Sequence, residues 1–225
     1  MEEEILSFFD EGSTWYQSLV SQFGEAVAQG MRAALIEQVV GGAGPQVIAA
    51  ILVREFGMGL SWALRMARTA LLYARRAAEL EFYRNNSQVV KGWTWHAHLD
   101  NRVCISCVRM HGTVHGLDET LNDHWNGRCA MIPKTIAWAD LGVVGVEDPA
   151  PVQPGEDWFK GLSDEEQRRL MGPAMWRAWQ DGVINWDQLS RVQSDPVYGE
   201  MRGAPNLREL LGDAAKGYYY EPSGE

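Results

Sequence analysis

The chain has few of the features that mark membrane or secreted proteins. No apolar run approaches the length of about 18 residues that a membrane-spanning helix needs. The first residues, Met1 to Glu4, include three glutamates where a secretory signal carries basic residues. Only three cysteines occur in 225 residues, too few for a disulfide framework. We therefore expect a protein that is made and kept in a reducing cytoplasm, with no membrane partner.

Positive charge is scarce as well. Lysine and arginine number 20 against 30 aspartate and glutamate, which gives a net charge of -10 and a pI near 5.0. Residues 87–137 are the region that is not acidic, with 5 basic against 4 acidic side chains. This balance keeps the protein soluble and argues against sequence-independent adhesion to nucleic acid or to an anionic membrane.

Common signals of catalysis are also missing. The sequence has no glycine-rich phosphate loop and no paired-carboxylate pattern. We therefore predict that the protein is not an enzyme and has no small-molecule substrate. A hydrophobic content of 46%, with ten tryptophans, excludes wholesale disorder, and the length suits one substantial domain or two small ones.

What the sequence does have is a concentration of metal-binding residue types in residues 92–133. All three cysteines, Cys104, Cys107 and Cys129, lie there together with all five histidines. Cys104 and Cys107 form a C-x-x-C knuckle, and with His124 the pattern reads C-x2-C-x16-H-x4-C. Thiolate and imidazole suit zinc, and four protein ligands leave no open position for water. The spacing therefore predicts a zinc site that is structural rather than hydrolytic.

The identity of the fourth ligand stays open on the residues alone. His111 and His115 follow the knuckle closely and compete with His124, whereas His96 and His98 precede it and are expected to pack or to lie on the surface. A disulfide would need an oxidising compartment, and a polar return limb containing histidine is a poor way to bury cysteine in a core. Zinc is therefore favoured over both alternatives, and thiolates that bind zinc are not free to act as nucleophiles.

The N-terminal third has helical periodicity. Apolar residues recur every three or four positions over residues 1–40, beginning at Ile5 and Leu6, with Gly12-Ser13-Thr14 as a break and N-cap. Glycines and a proline in residues 41–45 predict a helix stop followed by a new start. The apolar face is typical of a bundle helix that covers a core, and a docking helix is the alternative.

Two further helices are predicted, over residues 46–56 and from Leu60 to about Arg84. The second is the longest, because it is rich in alanine and leucine and free of glycine and proline. Its arginines are expected to lie along the helix face with packed stems rather than to bind nucleic acid. The predicted buried stripe consists of Trp62, Met66, Leu71 or Ala70, Ala74, Ala77 or Ala78, and Phe82.

Short strands and further helices follow. Val89-Val90, Trp93-Trp95 and Val114 predict strands around the knuckle. Residues 142–156, rich in glycine and proline, predict an extended linker. Beyond it we predict helices over residues 157–169, with Ser163 as part of a capping box, and over residues 174–180. The tail containing Tyr218-Tyr219-Tyr220 is typical of a packing or partner-binding segment.

These elements predict a mainly α protein with a small zinc-stabilised β module, an α+β fold. Its parts are N-terminal helices, a long central helix, a zinc knuckle with a hairpin, and C-terminal helices. The predicted division is an N-terminal helical region (residues 1–86), a zinc-binding β module (87–141), a linker (142–156) and a C-terminal helical region with a tail (157–225). The β module is too small to hold a core alone, so metal binding would contribute folding free energy.

The residues around the knuckle resemble the Mu F-like minor head proteins of tailed bacteriophages, also called head morphogenesis proteins. The resemblance covers roughly residues 60 to 190. The family pattern has an Arg-Thr in a long helix, a W-x-W-like strand, an Asp-x-Arg-Thr-Cys-x-x-Cys turn, a glycine after the knuckle and a closing His-x-x-Cys-Arg-Cys. The matching residues here are Arg68-Thr69, Trp93-Thr94-Trp95, Asp100-Asn101-Arg102-Val103-Cys104-Ile105-Ser106-Cys107, Gly112 and His124-Trp125-Asn126-Gly127-Arg128-Cys129.

The resemblance selects among the open alternatives. His124 falls on the family's histidine and Cys129 on its last cysteine, so the resemblance implies Cys104, Cys107, His124 and Cys129 as the metal ligands. Gly127 stands where the family has another cysteine, and Val103 stands where it has threonine. Four ligands remain, but a role of the extra thiol is absent here.

The resemblance also implies a function. It implies a minor component of the phage head, associated with the portal protein during capsid assembly and then present in the virion. Scaffold or coat protein and double-stranded DNA are the further partners that it suggests. Assembly would take place in the host cytoplasm.

Two other classes of function are alternatives. Asp123, His124 and Asn126 imitate the start of an HNH nuclease motif, but no histidine follows His124, and the next asparagine is Asn185. A histidine that closes a zinc site also cannot serve as general base. The other alternative is a free-standing zinc protein that binds nucleic acid.

Overall fold

The computed structural model describes residues 7–219, and its N-terminal part is a group of helices. A 3-10 turn at Ser7–Phe9 precedes them. The predicted stop at residues 41–45 is confirmed, because Pro45 occupies the first turn of the third helix. The predicted positions Ile5 and Leu6 lie outside the described residues. The first four helices are α1 (Thr14–Phe23), α2 (Glu25–Val40), α3 (Pro45–Phe56) and α4 (Leu60–Asn85).

Local sequence signals explain where α1 begins and ends. The Ser13 hydroxyl accepts a hydrogen bond from the Tyr16 N–H and so caps α1 as predicted. The helical stretch predicted up to residue 40 is split at Gly24, whose φ of 82° is open to glycine and strained for other residues. The break redirects the chain, so α1 and α2 pack against each other.

Helix α4 has 26 residues and contributes side chains to both groups of buried residues. Its buried positions include Met66, Ala70 and Ala74, as predicted, but Phe82 is 63% exposed. The last turns of α4 contact the sheet through Leu80 and Tyr83, and at 3.6 residues per turn Phe82 lies on the opposite side. The Tyr83 hydroxyl donates to the Met131 carbonyl at 3.1 Å, which fixes this face toward the strands.

A small antiparallel sheet follows α4. Strand β1 (Val90–His96) lies between β2 (Val114–His115) and β3 (Ala130–Thr135). A short helix, α5 (Ile105–Met110), lies between β1 and β2. The strands predicted around Trp93-Trp95 and Val114 are present, and β3 was not predicted. Trp93 and Trp95 lie two positions apart, so both point into the same core, where each is almost fully buried.

The C-terminal part is built from short elements. The predicted capping box at Ser163 is confirmed, but the helix predicted over residues 157–169 is interrupted at residues 161–163, which separate two helices. The hairpin β4–β5 was not predicted, because its strands carry few apolar residues. Tyr220 of the tyrosine tail lies outside the described residues. The elements are α6 (Gly155–Lys160), α7 (Asp164–Met171), α8 (Pro173–Gln180), β4 (Arg191–Asp195), β5 (Gly199–Gly203), α9 (Leu207–Leu211) and α10 (Lys216–Tyr219), with 3-10 turns at Trp138–Leu141, Trp186–Leu189 and Gly212–Ala215.

The buried side chains form two hydrophobic cores. The first belongs to the N-terminal helices and the first half of α4. The second joins the end of α4, the sheet and the C-terminal helices, with Phe159 fully buried among them. The tip of the β4–β5 hairpin, Val197 and Tyr198, packs on the first core, so the C-terminal region contacts both. Between residues 7 and 219, no helix has both the length and the apolar character that crossing a bilayer requires.

Residues 142–154 form no helix or strand, and they lead into α6. The start of α6 is tightly packed. The Gly155 N–H donates to the His111 carbonyl at 2.9 Å. A Cβ at this position would lie 1.8 Å from the carbonyl oxygen of Val108. The start of α6 therefore sits directly on α5, the helix that carries the cysteine knuckle.

We expect the Gly155→Ala variant to lose about 1–3 kcal/mol of unfolding free energy, because the added methyl group overpacks this contact. Urea unfolding followed by circular dichroism measures the loss. Gly12→Ala is the control, since a Cβ at Gly12 meets nothing within 4 Å. Equal stability of the two variants would contradict the close contact between α6 and α5.

Candidate metal centre

The cysteine knuckle is positioned by the start of α5. Cys104 is the residue that caps this helix, and its sulfur accepts a hydrogen bond from the Cys107 N–H at 3.3 Å. One helical turn therefore separates the two residues, and both sulfurs lie on the same side. Cys107 is buried and Cys104 is half-buried, so the pair lies at the edge of the second core.

His124 reaches the knuckle from the loop that precedes β3. Its Nε2 lies 3.2 Å from the sulfur of Cys104 and 3.5 Å from that of Cys107. Its Nδ1 lies 3.0 Å from the Trp125 carbonyl, which accepts a hydrogen bond from that nitrogen. A contact of this kind on the second ring nitrogen orients a histidine whose first nitrogen faces a metal.

Cys129 lies on the other side of Cys107. One group of atoms within 4.8 Å of one another comes from Cys104, Cys107 and His124, and a second comes from Cys107, Asp123 and Cys129. Cys107 belongs to both groups. The four residues predicted from the sequence therefore come together in one cluster that could bind a metal ion, with Asp123 beside it.

Electrostatic interactions in the cluster favour the charged forms of Cys104 and His124. The neighbouring Cys107 thiol and His124 hold the pKa of Cys104 well below its ordinary value, at about 4, against the opposing effect of burial. The Cys104 sulfur in turn raises the pKa of His124 to about 9. Cys104, Cys129 and burial all raise the pKa of Cys107. These pKa shifts favour a thiolate on Cys104 beside a protonated His124, and a bound cation would replace the protons.

Three of the other histidines, His98, His111 and His115, have partners outside the cluster. His111 is buried, and its Nδ1 accepts a hydrogen bond from the Ala97 N–H at 3.0 Å, while burial lowers its pKa. The ring of His115 lies against Trp93, with Thr113 and Glu119 on its two nitrogens. His98 lies at the surface, as expected. The structure thus brings His124, rather than His111 or His115, to the two knuckle sulfurs.

An ion pair holds the two limbs of the centre together. Asp100, which precedes the knuckle, accepts two hydrogen bonds of 2.7 Å from Arg128, which precedes Cys129. The Arg128 guanidinium lowers the pKa of Asp100. Both residues lie in the motif that resembles the family, and no role was predicted for them. Their 28-residue separation gives no local signal that they pair.

One face of α4 holds the loop that carries His124. The guanidinium of Arg65 lies 3.9 Å from the ring centroid of Trp125, a cation–π contact. The Thr69 hydroxyl accepts a hydrogen bond from the Asn126 N–H at 3.0 Å. Positions 65 and 69 are one turn apart on the helix. The arginines of α4 thus include one that packs on the loop, in line with the prediction that they lie along a helix face.

A buried ion pair makes the third contact between α4 and this loop. Arg76 donates to both carboxylate oxygens of Asp123, at 2.6 and 2.9 Å. It also donates to the Cys129 carbonyl at 2.7 Å. The side chains are 13% and 2% exposed, so water screens the pair little. This pair was not predicted, because an arginine among several on a helix gives no signal of its partner.

The arrangement argues against the nuclease alternative. The nuclease mechanism needs a histidine that is free to take a proton from water. Here one ring nitrogen of His124 bonds to a carbonyl and the other faces two sulfurs. Asn126 faces Thr69 through its backbone, and its φ of 60° serves the tight turn that runs from His124 to Gly127.

Comparison with protein families gives a match over part of the chain. Residues 29–132, 104 of the 225 residues, match the family model described as Phage Mu protein F like protein. The resemblance noted in the sequence is thereby confirmed over this segment, which contains α4, the knuckle and His124. Its extension beyond residue 132 remains a prediction. No curated protein and no solved structure matches the chain.

We expect Arg76→Ala to cost about 3–5 kcal/mol of unfolding free energy, because it leaves the Asp123 carboxylate buried without its counter-charge. The neighbouring Arg75→Ala is a matched control. Arg75 is 68% exposed and pairs with Glu79 on the surface, so its loss should cost less than about 1 kcal/mol. Chemical denaturation of both variants measures the difference. Similar small losses would show that the Arg76 pair does not hold the loop.

Proposed function

We propose that this protein is a structural and assembly component of a tailed-phage head, because residues 29–132 match the family model described as Phage Mu protein F like protein. It acts as a minor head protein that associates with the portal during head morphogenesis and remains in the virion. Scaffold or coat protein and double-stranded DNA are its further proposed partners. The family match is the observation that carries this proposal.

The side chains of the metal centre support a structural role rather than a catalytic one. Both nitrogens of His124 have partners, and the neighbouring acid Asp123 is paired with Arg76. The centre therefore offers its residues for holding the loop and the knuckle together. The acidic net charge of -10 fits a protein that joins an assembly through a specific surface rather than through bulk attraction to DNA.

The association with the portal is tested by co-expressing the chain with an affinity-tagged portal protein from the same phage. We expect the two proteins to stay together through affinity and size-exclusion chromatography. The portal of an unrelated phage is the control and should not retain the chain. Absence of association would contradict the proposal. A second contradicting result would be cleavage of plasmid DNA in the presence of magnesium or manganese, if the His124→Ala variant no longer cleaves it.

We further propose that the cluster binds one structural zinc ion through Cys104, Cys107, His124 and Cys129. The donor set of three sulfurs and one imidazole is typical of structural zinc. When bound, the ion supplies a cross-link between α5 and the loop before β3. The sheet has only three strands, and two of its strands have two and six residues. Such a module gains folding free energy directly from metal binding.

Elemental analysis of the purified protein should find about one zinc per chain. His124→Ala and Cys129→Ser should lose the metal and lower the melting temperature. His98→Ala is the matched control, because its side chain is close to the knuckle in sequence but 65% exposed. A metal-free protein whose melting temperature does not respond to zinc or to these changes would rule out the site.

A further inference from the structure

We infer that Asp123 is a positioning residue for the fourth corner of the metal centre: held by Arg76, its carboxylate fixes the backbone of Cys129. This inference rests on the proposed zinc site and adds two residues to it. Neither is a ligand in that site. Asp123 and Arg76 both act through the backbone of Cys129, which is a proposed ligand.

The contacts on Cys129 come from both halves of one ion pair. Its N–H donates to Oδ2 of Asp123 at 3.2 Å, and its carbonyl accepts hydrogen bonds from Nη2 and Nε of Arg76 at 2.7 and 3.2 Å. Both polar groups of the Cys129 backbone are therefore tied to side chains that are tied to each other. Because the backbone sets where the Cβ points, this pair decides the direction from which the Cys129 sulfur approaches Cys107.

Gly127 makes room for the carboxylate. A Cβ at Gly127 would lie 2.1 Å from Oδ2 of Asp123 and 2.3 Å from its carboxyl carbon. The φ of Gly127 is not positive, so alanine would meet no backbone strain there. Space for Asp123 is therefore what requires glycine at this position.

Asp123 is placed near two sulfurs, so it must be distinguished from a ligand. Its oxygen lies within 4.8 Å of the sulfurs of Cys107 and Cys129. Both of its oxygens, however, accept short hydrogen bonds from Arg76. A carboxylate that is paired in this bidentate way has satisfied its charge, and three sulfurs with one imidazole already complete a tetrahedral set.

Cobalt(II) substitution tests the inference, because thiolate-to-cobalt charge-transfer absorption grows with the number of thiolates bound. The full-length protein is loaded with cobalt(II), and the same absorption is recorded for Asp123→Ala, Asp123→Asn and Gly127→Ala. For Asp123→Ala and Gly127→Ala we expect the absorption to fall by about a third, from three thiolates to two. Zinc affinity, measured by competition with a chelator, should weaken about 10- to 100-fold, as for other residues that orient ligands.

The conservative variant separates positioning from ligation. The amide oxygen of Asp123→Asn can still accept the Cys129 N–H, so this variant should keep the three-thiolate spectrum. Loss of absorption in Asp123→Asn as large as in Asp123→Ala would overturn the inference. So would a three-thiolate spectrum in both Asp123→Ala and Gly127→Ala. Gly12→Ala controls for the glycine substitution, since a Cβ there is free of contacts.

Two further results keep the test decisive. If the unmodified protein gives no thiolate–cobalt absorption, the proposed metal site itself fails, which is distinct from failure of the positioning role. If Gly127→Ala does not fold, as judged by circular dichroism, Asp123→Ala and Asp123→Asn carry the comparison. The inference then stands only if alanine loses a thiolate and asparagine does not.

Discussion

The buried pair of Arg76 and Asp123 is the interaction on which the middle of this molecule depends. It joins the central helix to the loop before β3 and holds the backbone of Cys129 at the same time. A pair buried to this degree costs desolvation energy, which only close geometry and additional hydrogen bonds offset. Here the geometry is bidentate. Arg76 and Asp123 make their further hydrogen bonds to the carbonyl and the N–H of Cys129. The pair therefore ties the loop to one position on the helix.

The two cores meet along this same helix. Small side chains such as Ala67 and Ala70 let the N-terminal helices approach α4 closely, and the larger Leu80 and Tyr83 contact the sheet beyond. The hairpin β4–β5 contacts both the loop before β3 and the first core. The Arg202 N–H donates to the Asn122 carbonyl, and Tyr198 packs on the first core. The loop that carries His124 is thus enclosed by α4 on one side and by the hairpin on another.

Local chemistry could be predicted from the sequence, and long-range pairing could not. Ser13 and Ser163 cap helices as their spacing indicated, and Pro45 begins one, because each signal acts within a single turn. The cysteines could be singled out by residue type and spacing, and the family resemblance selected His124 among the competing histidines. Arg76 and Asp123 lie 47 positions apart, and Asp100 and Arg128 lie 28 apart, so nothing nearby in the chain marks either pair. Phe82 was misplaced because a regular stripe assumes one neighbour along the helix, whereas α4 passes from one core to another.

The length of α4 has a geometric consequence. At 1.5 Å per residue its 26 residues extend for about 39 Å without a glycine or proline to bend them. The helix is fixed at one end within the N-terminal bundle and at the other against the sheet. Any surface on that bundle therefore lies at a fixed distance and orientation relative to the knuckle. A macromolecule that binds both surfaces at once would therefore have to match that distance and orientation.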